Sequence, residues 1–353
     1  MALWFGALEV ALRVLFVATS FPPEARTGRA AEFAALVDRV RGWADEVRVV
    51  AGTRGEHPLP DHVVAVPTWQ VRAVRALQVW RAAREVGQAL RPDVAVLGGL
   101  LVPGLPWPTV RMVRDLVDAW GRPLDVGVGA RLAVRRAHCV VVPSSAIHKR
   151  LFDLGVDRWR VERLPVAVPD DPAPPLPTQG TPVRLVHPGS VRLAKGQHLS
   201  IDAVSRLPPE FKAMVELAIA GPSVDRRYAA QLRVSARGQP VVFPEGDAGE
   251  AIAMAHAVLC PDAAEPGFPD TALRAMAMGR LVLWADHPAS RDVLGGAGVA
   301  VSPEPRALRR ALLSLLPTAD WAAEGARASA HARQRYGWSV LWPRWRALLE
   351  RYA

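Results

Sequence analysis

The chain alternates between short apolar runs and longer amphipathic stretches. Val14–Ala18, Val47–Ala51, His62–Val66, Asp93–Leu97, Thr109–Val113 and Cys139–Val142 are brief, rich in Val and Ala, and bounded by turn residues. Such runs read as strands of a parallel sheet buried on both faces. Between them, residues 30–43 place Phe33, Ala34, Leu36, Val37 and Val40 at helical spacing, and residues 69–90 and 144–154 are further helices. Strand, loop, helix and strand in that order make a βαβ unit. Arg160–Leu164 leads into Pro165.

Residues 169–182 are rich in proline and read as a semi-rigid linker. The alternation then restarts. Strands are expected at 183–186, 215–220, 241–243, 258–260 and 281–284, with helices at 198–207, 228–236, 250–255 and 271–278. The expected fold is α/β: two doubly wound, Rossmann-like domains facing a cleft. Residues 1–170 form the first domain, 171–182 the linker and 183–335 the second domain. Residues 336–353 form a last helix. In it Trp338, Leu341, Trp342, Trp345, Leu348, Leu349 and Tyr352 share one face, which must dock on something. Pro343 should kink or restart that helix.

Composition narrows the class. Half of the 353 residues are hydrophobic and 22% are charged, which suits a chain with sizeable cores rather than a disordered one. Two cysteines, Cys139 and Cys260, exclude a disulfide scaffold and fit a reducing compartment. No apolar run reaches the length of a membrane span, and Met1–Leu12 is a poor signal peptide. The expected location is therefore cytoplasmic, with peripheral contact at the inner face of a membrane as a further option. The formal net charge is +10, almost all of it arginine, with +6 in residues 1–170 and +4 in the remainder. A positive field favours a phosphorylated ligand or an anionic membrane. No helix-turn-helix, zinc-finger or basic-aromatic motif points to nucleic acid.

In open α/β sheets ligands bind beyond the carboxyl ends of the strands. Three loops there carry chemistry. Thr27-Gly28 opens the first helix, where free amides favour a phosphate, although Thr is also an ordinary helix cap. His187-Pro-Gly-Ser-Val-Arg-Leu-Ala-Lys-Gly196 places Gly189, Arg192 and Lys195 on one loop before a helix. Two cations there suit a diphosphate leaving group. Asp262 to Gly279 carries Glu265, then Gly267, Phe268 and Pro269 at a helix start, then Arg274. Asp262 and Glu265 are too few to hold a metal, and no nucleophile motif of the G-x-S-x-G type is present.

These segments resemble the retaining nucleotide-sugar glycosyltransferases of the GT-B fold, the large group-1 family. Arg13–Pro23 is similar to the family's opening strand and loop. Val140–Ser145 with Leu154–Val161 is similar to the end of its first domain. Pro188-Gly189 to Lys195-Gly196 resembles G-R-L-x-x-x-K-G, and Gly267–Gly279 resembles G-F-P-N-x-x-L-E-A-M-A-x-G. Tyr336-Gly-Trp338 resembles the start of the terminal segment that crosses back to the first domain. The chain departs from the pattern at several positions. Arg274 stands where the family has a glutamate that holds the donor ribose, and a guanidinium cannot accept that hydrogen bond. Glu265 is displaced by one residue from the partner glutamate, Ser190 replaces an arginine, Thr27 replaces a glycine, and Val166-Ala167 replaces Asn-Gly. The family's first-domain histidine has only Gly98-Gly99 and Arg114-Asp115 as nearby candidates.

The resemblance implies sugar transfer from a nucleotide-sugar donor to a glycan, lipid or small-molecule acceptor, with retention and with no cofactor beyond the donor. Arg192 and Lys195 would carry positive charge, and Glu265 would orient sugar hydroxyls. Gly28, Gly189, Gly267, Phe268, Pro269 and Arg274 would line the donor site. A relative that has lost catalysis and serves as a binding or partner protein is the alternative. A sugar-nucleotide epimerase of the same architecture is a third option.

Overall fold

The structure is a computed structural model and describes residues 11–19, 28–53, 59–67, 72–99, 102–114, 128–177, 182–264 and 267–353. Its first part runs β1 (Arg13–Ala18), α1 (Gly28–Arg41), β2 (Glu46–Thr53), β3 (Val63–Pro67), α2 (Arg72–Leu90), β4 (Val94–Gly98) and β5 (Thr109–Met112). It continues through α3 (Val128–Arg135), β6 (Cys139–Val142), α4 (Ser145–Asp153) and β7 (Val161–Arg163). The seven strands form one sheet in the order β3-β2-β1-β4-β5-β6-β7, every pair parallel. The strands are short and apolar because both faces are covered: Phe16 and Val96 face α1, while Leu15, Val17 and Leu97 face α2.

The second part runs β8 (Val183–Pro188), α5 (Gln197–Ser205), α6 (Pro209–Lys212), β9 (Val215–Ala220), α7 (Arg226–Ser235), β10 (Val241–Val242), α8 (Ala248–Ala253) and β11 (Ala257–Cys260). It ends with α9 (Asp270–Ala277), β12 (Leu281–Ala285), α10 (Pro288–Leu294), β13 (Val299–Val301), α11 (Pro305–Leu315), α12 (Trp321–Tyr336) and α13 (Trp338–Tyr352). Its parallel sheet has the order β10-β9-β8-β11-β12-β13. In both sheets the order reverses beside the first strand, between β1 and β4 and between β8 and β11. Loops at such a switch point diverge and leave a crevice.

Between the sheets the Pro-rich stretch is pinned by a buried cation. The Arg280 guanidinium donates to the carbonyls of Pro174 (3.2 Å), Pro175 (3.0 Å), Ile252 (3.1 Å) and Ala253 (2.6 Å). Arg280 is fully buried, so these four acceptors replace its water.

The chain then crosses back. Helix α12 packs in the core of the second sheet through Ala328, Ala332 and Tyr336. After Gly337, α13 packs in the core of the first through Trp338, Leu341, Trp345, Leu348 and Leu349. Gly337 has no room for a side chain: a Cβ there would lie 2.4 Å from Asp170 Oδ1 and 2.6 Å from Arg333 O. Val168 N donates to Tyr336 O (2.8 Å) and Trp338 N to Val168 O (3.2 Å), so the two crossing strands of chain are stitched side by side. The last helix runs through Pro343 without restarting. The elements from α10 to α12 carry a helical pattern that the sequence reading passed over, as does α3.

Trp345 is almost fully buried between the last helix and the first sheet. Trp345→Ala is expected to lower stability by about 3–5 kcal/mol in denaturant unfolding. A loss below about 1 kcal/mol would show that α13 is not part of that core.

Candidate active site at the interdomain cleft

The loop after β8 turns sharply. Gly189 has φ +114, and its carbonyl lies where a Cβ of Gly221 (φ +137) would be, 2.3 Å away, so two strand ends touch backbone to backbone. Only glycine fits both positions. A single 3-10 turn, Leu193–Lys195, then leads to Gly196 (φ +75) and α5. A Cβ at Gly196 would lie 2.6 Å from Pro261 O, so this loop runs directly against the loop after β11.

An ion pair joins the two loops. Lys195 Nζ lies 3.0 Å from Asp262 Oδ1, with side chains only 15% and 10% exposed. Burial alone would lower the Lys195 pKa; Asp262 and Asp270 overcome that and hold it above its ordinary range. Asp262 is held from the other side, its carbonyl 2.9 Å from His287 Nε2. Beneath the loop His187 is buried, with Nδ1 2.8 Å from Ser200 Oγ. Burial and the Lys195 charge push its pKa down to about 3, so the ring is neutral. Gln197 Nε2 donates to Ser190 O (3.1 Å) and fixes the turn.

The facing domain supplies a second charged group. Glu32, one turn into α1, is 6% exposed and paired with Arg114, which follows β5. Arg114 Nη1 also donates to Leu164 O (3.3 Å). Burial raises the Glu32 pKa; Arg114 and then Arg274 oppose that, and Asp270 adds to it. Arg274 and Asp270 belong to α9 of the second domain, so their charges act on Glu32 across the cleft. Ser144 caps α4, as its position predicts, and its Oγ also donates across the cleft to Gly267 O (2.6 Å). Ser145 Oγ reaches Asp292 Oδ2 (2.9 Å) on α10. Buried Arg111, its pKa pushed down to about 10 by burial, donates to Gly99 O (2.8 Å) and Val102 O (2.7 Å) and sets the loop after β4.

The expected site residues therefore fall as follows. Gly189, Arg192 and Lys195 share the loop at the second switch point, with Arg192 half-buried at the head of the 3-10 turn. Gly267, Phe268 and Pro269 lead into α9, Phe268 is buried, and Arg274 is on that helix. Gly28 is the first residue of α1. Glu265 and Thr27 lie outside the described residues. Glu32, Asp270 and the cross-cleft role of Ser144 were not singled out by sequence reasoning. The partner of Glu32 lies 82 residues away in the chain and that of Ser144 lies 123 away, and no local pattern announces such contacts. Among the described residues no group of three His, Cys, Asp or Glu side chains is placed to hold a metal, and no helix is long and apolar enough to cross a membrane.

If the Lys195–Asp262 pair fastens the two loops, Lys195→Ala strands a buried carboxylate and costs about 3–5 kcal/mol of unfolding free energy. The double variant Lys195→Met with Asp262→Leu is expected to lose less than the sum of the two single changes. Strict additivity in that cycle would contradict the pairing.

Residues 182–318 match the family model described as glycosyl transferases group 1. No curated protein matches the sequence. Sucrose-phosphate synthase from Thermosynechococcus elongatus superposes with a TM-score of 0.78 at 16% identity, covering 96% of this chain and 98% of that one. Anabaena Alr3699/HepE, solved in complex with UDP and glucose, gives 0.74 at 17% identity over 96% and 99%. WaaG, a glycosyltransferase involved in lipopolysaccharide biosynthesis, gives 0.72 at 17% identity over 92% and 96%. The chain thus has two parallel-sheet α/β domains in the GT-B arrangement, the second of them the part that the group 1 model matches.

Proposed function

We propose that the protein is a glycosyltransferase that moves a sugar from a nucleotide-sugar donor to a glycan, lipid or small-molecule acceptor with retention of configuration. The observation that carries this is the loop pair at the second switch point. Gly189 brings backbone within reach of a ligand, Arg192 and Lys195 stand on one loop, and the segment lies inside the group 1 glycosyltransferase match. HepE, solved with UDP and with UDP-glucose, suggests a uridine nucleotide as the first donor to try.

The chemistry asks little of the side chains. The anomeric bond to the diphosphate breaks, the acceptor oxygen bonds to the same face of the anomeric carbon, and the leaving diphosphate takes the acceptor proton. The protein's contribution is orientation and positive charge at the departing phosphates. Lys195 is already balanced by Asp262, so it serves chiefly to hold the loop and lends a partly neutralised charge. Among the described residues no carboxylate pairs with Arg192, and it is the cation assigned to the diphosphate. Arg274 offers a third positive group where the family pattern has a carboxylate.

A binding protein without transferase activity is the second reading. It is favoured by Arg274, a cation where the family pattern has a carboxylate, whose charge acts on the buried Glu32 of the Glu32–Arg114 pair.

Calorimetric titration with UDP, GDP, ADP and TDP, and with their sugar conjugates, tests the proposal. One base is expected to bind at about micromolar affinity, and Arg192→Ala to weaken it about ten-fold. Absence of binding by all of them would remove the donor assignment. Binding of a sugar conjugate with neither hydrolysis nor transfer would favour the second reading.

A further inference from the structure

The arginine excess of the first domain is local. Residues 128–163 hold eight Lys and Arg against three Asp and Glu, a net +5 out of the chain's +10. The rest of residues 1–170 holds fifteen against fourteen.

The fold gathers these charges on one flank. Helices α3 and α4 and the 3-10 turn Arg158–Arg160 lie around the β6–β7 end of the first sheet. Arg160 Nη1 donates to Arg135 O (2.9 Å), tying the turn to α3, and the Arg158 guanidinium lies 4.9 Å from the Phe152 ring on α4. Arg131, Arg135, Arg136, Lys149 and Arg158 are exposed.

A second feature coincides with the first. On α3, Ala133 and Val134 turn inward, whereas Val128 and Leu132, one turn apart, are 75% and 43% exposed. Arg131, Arg135 and Arg136 flank them on the same outer face. Trp159 is 73% exposed, the one exposed large aromatic among the described residues, and Arg160 stacks on its ring at 4.6 Å.

A soluble polyanion would satisfy the arginines and leave Val128, Leu132 and Trp159 in water. A bilayer interface with anionic headgroups takes both: arginines pair with lipid phosphates, and aliphatic and indole side chains enter the headgroup boundary. We propose that this flank docks the protein on an anionic lipid surface, with Trp159, Val128 and Leu132 inserted and Arg131, Arg135, Arg136 and Arg158 around them. The docking needs no catalysis and stands apart from the functional reading above.

Flotation of the full chain with vesicles of phosphatidylcholine alone, or mixed with phosphatidylglycerol, tests it. Wild type is expected on the mixed vesicles only, with capture falling as salt is raised. Trp159→Ala is expected to reduce capture several-fold, and Arg131→Ser with Arg136→Ser about ten-fold. Arg306→Ser with Arg310→Ser, an equal loss of charge from exposed positions on α11, is expected to change nothing. All these positions are exposed, and an unchanged thermal midpoint shows that each variant is folded. Failure to float on the mixed vesicles, equal capture by the neutral ones, or equal loss in the α11 control overturns the proposal. Capture unaffected by Trp159→Ala, with equally tight binding to free polyphosphate, also overturns it and reassigns the flank to soluble polyanions.

Discussion

The buried pair between Lys195 and Asp262 is the interaction on which the cleft depends. It ties the loop after β8 to the loop after β11, the two loops that diverge at the second switch point. With Gly196 pressed against Pro261 O, the pair leaves the loops little freedom to separate. The shape offered to a ligand is therefore set before the ligand arrives. That suits a reaction in which the protein contributes position and charge rather than a nucleophile.

The cleft is built from balanced charges. Lys195 faces Asp262 and Asp270, and Arg114 faces Glu32, which also feels Arg274 and Asp270 from the opposite domain. Removing one member of such a set leaves another buried charge uncompensated. The guanidinium at position 274 is then intelligible on physical grounds. A carboxylate there would repel Glu32, whereas the arginine opposes the cost of burying it. The cross-cleft hydrogen bond from Ser144 to Gly267 adds a short neutral contact at the segment leading into α9. The crossing of the last helix onto the first sheet fixes how the two halves of this site meet.

Much of the architecture was legible in the sequence, because parallel strands buried on both faces leave short apolar runs that few other structures produce. Val14–Ala18, Cys139–Val142 and Leu281–Trp284 all became strands where expected. The docking of the last helix was legible from Trp338, Leu341, Trp345 and Leu348 at helical spacing. Helix α3 was missed because two of its outward positions, Val128 and Leu132, are apolar and blur its periodicity. Of the site, the two loops were readable as glycines and cations following strands. Asp262 was weighed only as a metal ligand, and Glu32 not at all, since what gives each its role is a partner brought close by the fold.

The most direct measurement of the central claim is hydrogen–deuterium exchange of the whole protein with and without saturating UDP-glucose. Protection confined to residues 189–196, 261–270 and the first turns of α1 and α9 is the predicted result. Protection that spares the loop after β8, or that appears only outside the cleft, would contradict the assignment of this site.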